Sequence, residues 1–273
     1  MQHQEIAAPP ALQDAIQNFW YLSRDFGDAP SAFEVMPDGY AEIIFYFGRV
    51  CSIATSKGLQ PLPSPFLTGL LNQPVNFYTQ NRLDIIGVRC LPWAVFDLLG
   101  LKPGKDGVRA FEHPIAQLQA TLAKWVKAGD VKEALDEVQQ YFLQARAQVA
   151  TNSMLFKAGA AMQAANGTMP VNKVAAAAHA TVRTLERNFK RSSGYTVKDV
   201  SALMRFEQVR DQLWCNPNVN LAGLSAELGY ADQSHLGREF KRYSGTTPLA
   251  FARKAKHNKQ AAGDDFVAFV LSQ

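Results

Sequence analysis

Two short basic segments near the C-terminal end contain the residue types best suited to bind another molecule. Residues 185–196 and 236–247 are identical at eight of twelve positions, with an offset of 51 residues. Arginine can donate two hydrogen bonds to guanine, glutamine can bind adenine, and glutamate can accept a bond from cytosine. All three residue types occur in or beside these segments, so the segments could read DNA bases. The C-terminal half therefore contains one structural unit twice.

Helical spacing predicts how these segments present their basic residues. In each, a leucine and a phenylalanine four residues apart form an apolar stripe, and arginine and lysine fall on the other side. Thr181 and Asp232 are placed to cap the N-termini of the two helices, and Gly194 and Gly245 are placed to end them. Each segment is therefore predicted to be an amphipathic helix with a basic face.

A shorter and less polar helix is predicted before each basic helix. It runs from Val171 to Ala178 in the first copy and from Leu221 to Leu228 in the second. The turn that follows is His179-Ala180 in the first copy and Gly229-Tyr230-Ala231 in the second, where glycine can adopt a positive φ. A short helix, a tight turn and a basic helix form a helix-turn-helix, whose second helix can enter the major groove.

The residues between the two copies predict a rigid connector. Val197 to Cys215 has the apolar spacing of one long helix, and Asn216-Pro217 is its stop signal. Its 19 residues would span roughly 28 Å. Successive major-groove faces of B-DNA lie ~34 Å apart. The connector could therefore hold both recognition helices on one side of a duplex, so that a single chain reads two adjacent grooves.

Charge and composition agree with a partner that is a polyanion. The net charge of +4 combines −3 over residues 1–150 with +7 over residues 151–273. A basic domain attracts nucleic acid by counterion release, although such an excess can also be only a solvated surface. A chain of 273 residues predicts two domains, and no apolar run is long enough to span a membrane. The N-terminus lacks a secretion signal and the three cysteines form no C-x-x-C pair, which predicts a cytoplasmic protein with reduced thiols.

Residues 168–258 resemble the DNA-binding domain of the AraC/XylS family of bacterial transcription regulators. Ser225 to Pro248, SAELGYADQSHLGREFKRYSGTTP, follows the pattern A-x-x-x-G-[FY]-x-[DS]-x-S-x-[FL]-x-[RK]-x-F-[KR]-x-x-x-G-x-[TS]-P of the family's second unit. There are two departures, since Ser225 replaces alanine and His179 replaces the turn glycine of the first unit. Histidine tolerates positive φ better than most residues, so the first turn is expected to form with some strain. The resemblance implies a bacterial origin and two helix-turn-helix units.

The resemblance also implies which side chains contact DNA. The base-facing residues would be Arg183, Thr184, Glu186 and Arg187 in the first helix, and Gln233, Ser234, His235 and Arg238 in the second. Phosphate contacts are expected from residues nearer the helix ends, namely Lys190, Arg191, Lys241 and Arg242. Alternatively, Arg187 and Arg238 touch only phosphate or pair with a carboxylate such as Glu239, and the terminal basic residues are only solvated. No second His or Cys lies at ligand spacing from His235, so neither a metal nor another cofactor is predicted.

The front half is predicted to be a small strand-rich domain followed by a helical hairpin. Its expected strands are Ile16 to Leu22, Ala41 to Phe47, Pro65 to Leu71, Val75 to Tyr78 and Leu83 to Cys90. A stripe with 4-3-4-3-4 spacing, from Val131 to Val149, would pack either against the preceding helix or against a second subunit. With an all-α C-terminal domain of two helix-turn-helix units joined by a long helix, the fold class is α+β.

Family members usually use the front domain to bind an effector or to dimerise. Met36 to Gly48 and Gly87 to Gly100 resemble an incompletely characterised sensor domain found in a subset of these regulators. Its pocket candidates are Trp20, Tyr46, Arg89 and Trp93, although most aromatic residues here are expected to be ordinary core. Arg89 would bind an acidic ligand or extend to solvent.

The predicted domains are an effector-sensing or dimerisation domain at 1–150, a linker region at 151–167, the tandem helix-turn-helix domain at 168–258 and a tail at 259–273. The tail, which ends in an apolar run, is expected to pack onto a domain surface.

The leading hypothesis is a transcription regulator that is not an enzyme. Its expected partners are double-stranded DNA and a small-molecule effector, with RNA polymerase and a second copy of the chain as further candidates and no membrane. The first alternative is a ligand-independent or architectural DNA-binding protein. The second is a DNA-repair enzyme that transfers alkyl groups to a cysteine, for which Cys51 and Cys90 are candidates, although an activated Cys-His motif is missing.

Overall fold

Two antiparallel sheets form the front half of the protein. The computed structural model describes residues 1–102, 107–149, 153–262 and 269–270. In chain order the strands are β1 (Gln2–Ala7), β2 (Ile16–Asp25), β3 (Ser31–Val35), β4 (Ala41–Gly48), β5 (Ser52–Thr55), β6 (Gly58–Pro61), β7 (Phe66–Thr68), β8 (Val75–Thr79), β9 (Arg82–Cys90), β10 (Val108–Ala110) and β11 (Phe269–Val270). One sheet has the order β1-β2-β9-β4-β7-β10 and the other has the order β11-β3-β8-β5-β6.

The central strands are apolar on both faces because both faces are covered. In β4, Ile43 and Phe45 are fully buried in the larger of two core clusters, which continues into the helices. Ile44, between them, points to the opposite face and into a second cluster with Phe33 and Phe77 of the other sheet. Successive side chains of a strand alternate between faces, so one strand contributes to both cores. The five strand segments expected from the sequence all appear as β2, β4, β7, β8 and β9.

A helical hairpin packs on the larger sheet. The helices are α1 (Ala94–Leu99), α2 (Leu118–Ala128) and α3 (Val131–Ala147), with a 3-10 turn at Pro114–Gln117. Leu135, Val138 and Phe142 of the predicted stripe are fully buried within this chain. The ring of Phe142 meets that of Phe19 edge-on, with centroids 6.0 Å apart. Because α3 also packs against α2, the preceding helix, the intramolecular alternative is confirmed for this part of the stripe.

The C-terminal half is helical and matches the predicted order. Its helices are α4 (Ser153–Ala164), α5 (Val171–Ala177), α6 (Val182–Ser193), α7 (Val197–Cys215), α8 (Leu221–Glu227), α9 (Gln233–Ser244) and α10 (Pro248–Ala262). Most of the predicted linker region is the helix α4, in which Leu155, Ala158 and Met162 are fully buried. Of the predicted apolar tail, Phe269 and Val270 pair with β3, while residues 263–268 and 271–273 lie outside the described residues.

The two halves share one continuous core. Trp93, which precedes α1, packs edge-on against Phe189 of α6, with ring centroids 5.3 Å apart. Tyr195 Oη donates a hydrogen bond of 2.7 Å to the Leu70 carbonyl. The first helix-turn-helix unit is therefore held against the front half. Among the helices that the structure describes, none has the length and apolarity needed to cross a membrane.

Candidate nucleic-acid interface

The turns of the two helix-turn-helix units are built in the same way. Ala180 N donates 2.9 Å to the Ala175 carbonyl, and Tyr230 N donates 2.9 Å to the Ser225 carbonyl. His179 and Gly229 occupy the corresponding left-handed positions, with φ values of 52° and 67°. The expected positive φ at His179 is therefore confirmed.

Replacing His179 with glycine is expected to raise the free energy of unfolding by roughly 0.5–1 kcal/mol, because relief of left-handed strain outweighs glycine's extra freedom in the unfolded chain. The measurement is chemical denaturation of both proteins. Gly229→Ala is the matched control and should destabilise the protein, since alanine is strained at positive φ. The new Cβ would lie 3.7 Å from the Thr168 side chain, an ordinary contact, so the backbone alone causes that loss. A less stable His179→Gly variant would show that the histidine side chain itself stabilises the turn.

Both recognition helices begin and end at the predicted residues. Thr181 Oγ1 accepts a hydrogen bond of 3.2 Å from Thr184 N, and Asp232 Oδ1 accepts one of 2.6 Å from His235 N. Gly194 and Gly245 end the helices in the left-handed conformation. The caps fix where each helix starts. This N-terminal part is the part of a recognition helix that contacts base edges.

The predicted contact residues of α6 divide into exposed and engaged side chains. Arg183, Arg187 and Lys190 are exposed. Glu186 Oε2 instead accepts a 3.1 Å hydrogen bond from Val197 N, the first amide of α7. A carboxylate at a helix N-terminus is favourable there, so Glu186 has a structural role and is not a free base reader in this structure. Thr184 is half-buried, and its hydroxyl is 3.0 Å from that of Thr181.

Arg191 is exposed but lies beside the front half. Its Nη2 donates a 3.0 Å hydrogen bond to Asn188 Oδ1, and its guanidinium lies 6.0 Å from the ring centroid of Phe96 in α1. The neighbouring Ser192 Oγ is 3.3 Å from Asp97 Oδ1. The C-terminal end of α6 therefore contacts the front half. A contact of Arg191 with phosphate would compete with its packing beside Phe96.

In α9, five of the predicted contact residues are exposed: Gln233, Ser234, Arg238, Lys241 and Arg242. His235 is half-buried, with its ring edge-on to Tyr230 at 5.3 Å and its Nδ1 accepting a 3.4 Å bond from Ala231 N. The histidine therefore fixes the turn before the helix. No group of His, Cys, Asp or Glu suited to a metal ion occurs among the described residues.

The suggested pairing of Glu239 with a recognition arginine does not occur. Glu239 Oε2 lies 3.2 Å from Nη2 of Arg205, a residue of α7, and Nη1 of the same guanidinium donates 3.0 Å to the Gly167 carbonyl. Arg205 also lies over the Tyr230 ring, 5.2 Å from its centroid. Arg205 thereby fastens the second recognition helix to α7 and leaves Arg238 exposed.

The connector helix forms as expected, from Val197 to Cys215. A capping box between Thr196 and Asp199 starts it. Phe206, in its middle, is fully buried, with ring centroids 5.1 Å from Phe240 and 5.3 Å from Tyr243 of α9. Since α7 is buried along much of its length, the two recognition helices are held by a helix that cannot bend without disrupting the core.

The four pocket candidates of the front half do not line one cavity. Trp20 is 5% exposed, and its indole fills the space that a side chain at Gly87 would occupy. Tyr46 Oη donates 2.7 Å to the Leu62 carbonyl. Trp93 lies in the other core cluster, beneath α6. The candidates therefore do not share one pocket: Trp20 and Trp93 are packed in different core clusters, whereas Tyr46 lines a small cavity between the sheets.

Arg89, the fourth candidate, belongs to a buried ionic cluster between the two halves. Its Nη2 lies 2.7 Å from Asp38 Oδ2 and 3.1 Å from Oε1 of Glu207 in α7. Arg210, one turn further along α7, donates 3.2 Å to the Pro37 carbonyl and lies 3.4 Å from the same Glu207 oxygen. Burial raises the pKa of the Glu207 carboxyl, and the two guanidinium groups oppose that rise. The sequence predicted that Arg89 binds an acidic ligand or extends to solvent. The structure corrects this prediction, because carboxylates of the same chain balance the charge of Arg89.

A small cavity lies between the two sheets. It measures about 20 Å³ and is lined by aromatic and aliphatic residues with one carboxyl, that of Glu42. Burial raises the pKa of Glu42 to about 7, and Arg89 on the neighbouring strand opposes that rise. A space of this size holds about one water molecule. A second, open cleft of about 300 Å³ lies between the halves, beside Tyr40, Gln163 and Glu207.

Comparisons with known proteins agree with this architecture. Residues 174–254 match a helix-turn-helix domain family, and residues 4–105 match a domain of unknown function (DUF6597). The HTH-type transcriptional regulator RipA of Corynebacterium diphtheriae is 33% identical over 75 residues, which are 28% of this chain and 22% of that protein. The alignment thus spans less than a quarter of the relative's length.

Two of the solved structures that resemble this chain share little sequence with it. ToxT from Vibrio cholerae has a TM-score of 0.44 and 9% identity, with 85% of this chain and 97% of that chain covered. The DNA-binding domain of AdpA, solved in complex with a target DNA, has a TM-score of 0.37 and 18% identity, with 40% and 98% covered.

Proposed function

We propose that this chain, which belongs to the AraC/XylS family through its tandem helix-turn-helix domain, regulates transcription by binding specific DNA sequences. One observation carries the proposal. Two capped helices, α6 and α9, expose Arg187 and Arg238 at corresponding positions, and α7 joins the helices rigidly. Exposed arginines on the N-terminal part of a recognition helix are suited to guanine edges.

The proposal predicts sequence-specific binding that weakens steeply with salt. For about four phosphate contacts, affinity should fall roughly a hundredfold between 50 and 200 mM salt. The measurement is fluorescence anisotropy with the full chain, using duplexes enriched from a random library and scrambled duplexes of equal length as controls. Equal affinity for enriched and scrambled duplexes would refute sequence-specific regulation and would favour the architectural alternative.

The front half is proposed to sense a small-molecule effector. Supporting this, the Arg89 cluster joins the sheets to α7, and α1 contacts α6, so a continuous set of contacts connects the sheets with the helices of the DNA-binding domain. The open cleft beside Glu207 touches both halves, whereas the cavity between the sheets, at about 20 Å³, would have to expand to admit a ligand. A metabolite that binds the folded chain raises its melting temperature, by mass action. A ligand screen by thermal shift in which no compound stabilises the protein would favour ligand-independent DNA binding.

The repair-enzyme alternative needs a reactive thiolate. Burial raises the pKa of Cys51 to about 12 and also raises that of Cys90. Both thiols are thus protonated at neutral pH, which makes them poor nucleophiles. Contacts with RNA polymerase and with a second copy of the chain, and action in the cytoplasm, stay predictions.

A further inference from the structure

Val182 is an exposed apolar residue at the start of the first recognition helix. It is the first residue of α6, and its side chain is 42% exposed. Leu185 and Phe189, which anchor the same helix, are fully buried. Valine is a weaker helix former than alanine, and an exposed apolar side chain gains nothing from water. Val182 therefore offers an apolar surface on a helix that Leu185 and Phe189 already anchor.

The geometry holds Val182 in one orientation at the end of the helix that meets DNA. Thr181 caps the helix through Thr184 N, which fixes the first turn on both sides of Val182. A β-branched side chain in a helix keeps largely to a single rotamer, so presenting it costs little entropy. The next residue, Arg183, is exposed, and Arg187 follows one turn later. Near the opposite, C-terminal end, α6 contacts α1, whereas Val182 and Arg183 at the N-terminal end are both exposed.

The chemistry of the major groove supplies one apolar partner for such a residue. Base edges there present hydrogen-bond donors and acceptors, and thymine adds a C5 methyl group. We infer that Val182 contacts the methyl group of a thymine and thereby determines the sequence read by the first unit. This inference rests on the proposed function and specifies what that site recognises.

The internal repeat sharpens the inference. The residue 51 positions later, at the first position of α9, is the exposed Gln233. Glutamine offers an amide that can bind adenine through two hydrogen bonds, and it makes no preferred contact with a methyl group. The two units therefore read different bases at corresponding places, and the bound duplex has a fixed polarity, with the thymine under α6.

Deoxyuridine scanning tests the contact, because uracil lacks only the methyl group. The full-length protein is used to enrich duplexes from a random library, and each thymine of the best duplex is then replaced by deoxyuridine, one at a time. For the wild type we expect about a fourfold loss of affinity when one particular thymine is replaced. This factor corresponds to the free energy gained by burying one methyl group. Val182→Ala should bind the thymine and uracil duplexes equally at that position.

Gln233→Ala is the matched control at the corresponding place in the second unit. It should weaken binding overall but keep the wild-type ratio of thymine to uracil affinity at the thymine under α6. Thermal unfolding of each variant establishes that it is folded. The inference is overturned if deoxyuridine lowers the affinity of the wild type at no position. It is also overturned if Val182→Ala keeps the wild-type ratio of thymine to uracil affinity. In both cases the proposal of specific DNA binding still stands. If no duplex is bound in preference to scrambled DNA, the proposed function fails and this inference fails with it.

Discussion

Arg187→Ala is expected to weaken binding to an enriched duplex by about tenfold to a hundredfold, which corresponds to the loss of one bidentate contact with guanine. The exposed guanidinium of Arg187 lies on the helix face opposite the buried Leu185 and Phe189, so its removal leaves the core intact. The variant should also tolerate base changes at one position of the duplex that the wild type rejects. Anisotropy titrations against a set of single-base variants measure both effects.

Two control variants separate base reading from charge. Lys190→Ala removes an exposed cation one turn further along α6. This variant should bind all duplexes more weakly by the same factor. The slope of log affinity against log salt concentration should fall by about one. Arg49→Ala, an exposed arginine of the front half, should leave DNA binding unchanged. If Arg187→Ala weakened enriched and scrambled duplexes by the same factor, Arg187 would be a phosphate contact and the base-reading role would be refuted.

The helices of the C-terminal half could be predicted because their signals are local. The ends of α6 and α9 follow from their caps, such as Thr181 and Asp232, and their buried faces follow from a leucine and a phenylalanine four residues apart. The strand β1 was missed because its sequence, QHQEIA, is mostly polar and much of it is exposed. An edge strand with one solvated face needs few apolar residues, so composition hides it.

The side chains that join the two halves could not be predicted, because their partners are distant in the sequence. Arg89 meets Glu207 across 118 residues, and Arg210 meets the Pro37 carbonyl across 173. The spacing of Glu207 and Arg210 on α7 indicates only that they share a helix face. Trp20 failed as a pocket residue for a related reason. An aromatic side chain in a strand has the same local pattern whether it lines a cavity or fills the core. The one sequence signal for core packing is Gly87, whose missing side chain leaves room for the indole.

Arg89→Met is expected to lower the free energy of unfolding by about 3–5 kcal/mol, the usual cost of removing one partner from a buried ionic group. Methionine retains most of the side-chain volume, so the loss reports charge rather than a cavity. Asp38 and Glu207 would be left buried without this guanidinium, and Arg210 would face them alone. Urea denaturation of the full chain measures the effect. Lys132→Met is the control, since Lys132 pairs with Asp136 on the surface of α3, where the two side chains are 74% and 46% exposed. That variant should have a nearly unchanged midpoint, because exposed ion pairs add little.

The pH dependence distinguishes an ionic role for Arg89 from simple packing. Burial already raises the pKa of Glu207 in the wild type, and the loss of Arg89 removes one group that opposes this rise. A carboxyl whose pKa is higher in the folded state binds a proton more readily when folded, so stability falls as the pH rises through the range between the two pKa values. The deficit of Arg89→Met relative to the wild type should therefore be larger at pH 8 than at pH 5. The Arg89 guanidinium also lies over the Tyr40 ring, 4.3 Å from its centroid. A deficit equal at both pH values would show that the arginine stabilises the interface through such packing rather than through its pairing with the carboxylates. A deficit near zero would mean that the two halves are held by their apolar contacts alone, and the Arg89 cluster could not then transmit a signal from the sheets to α7.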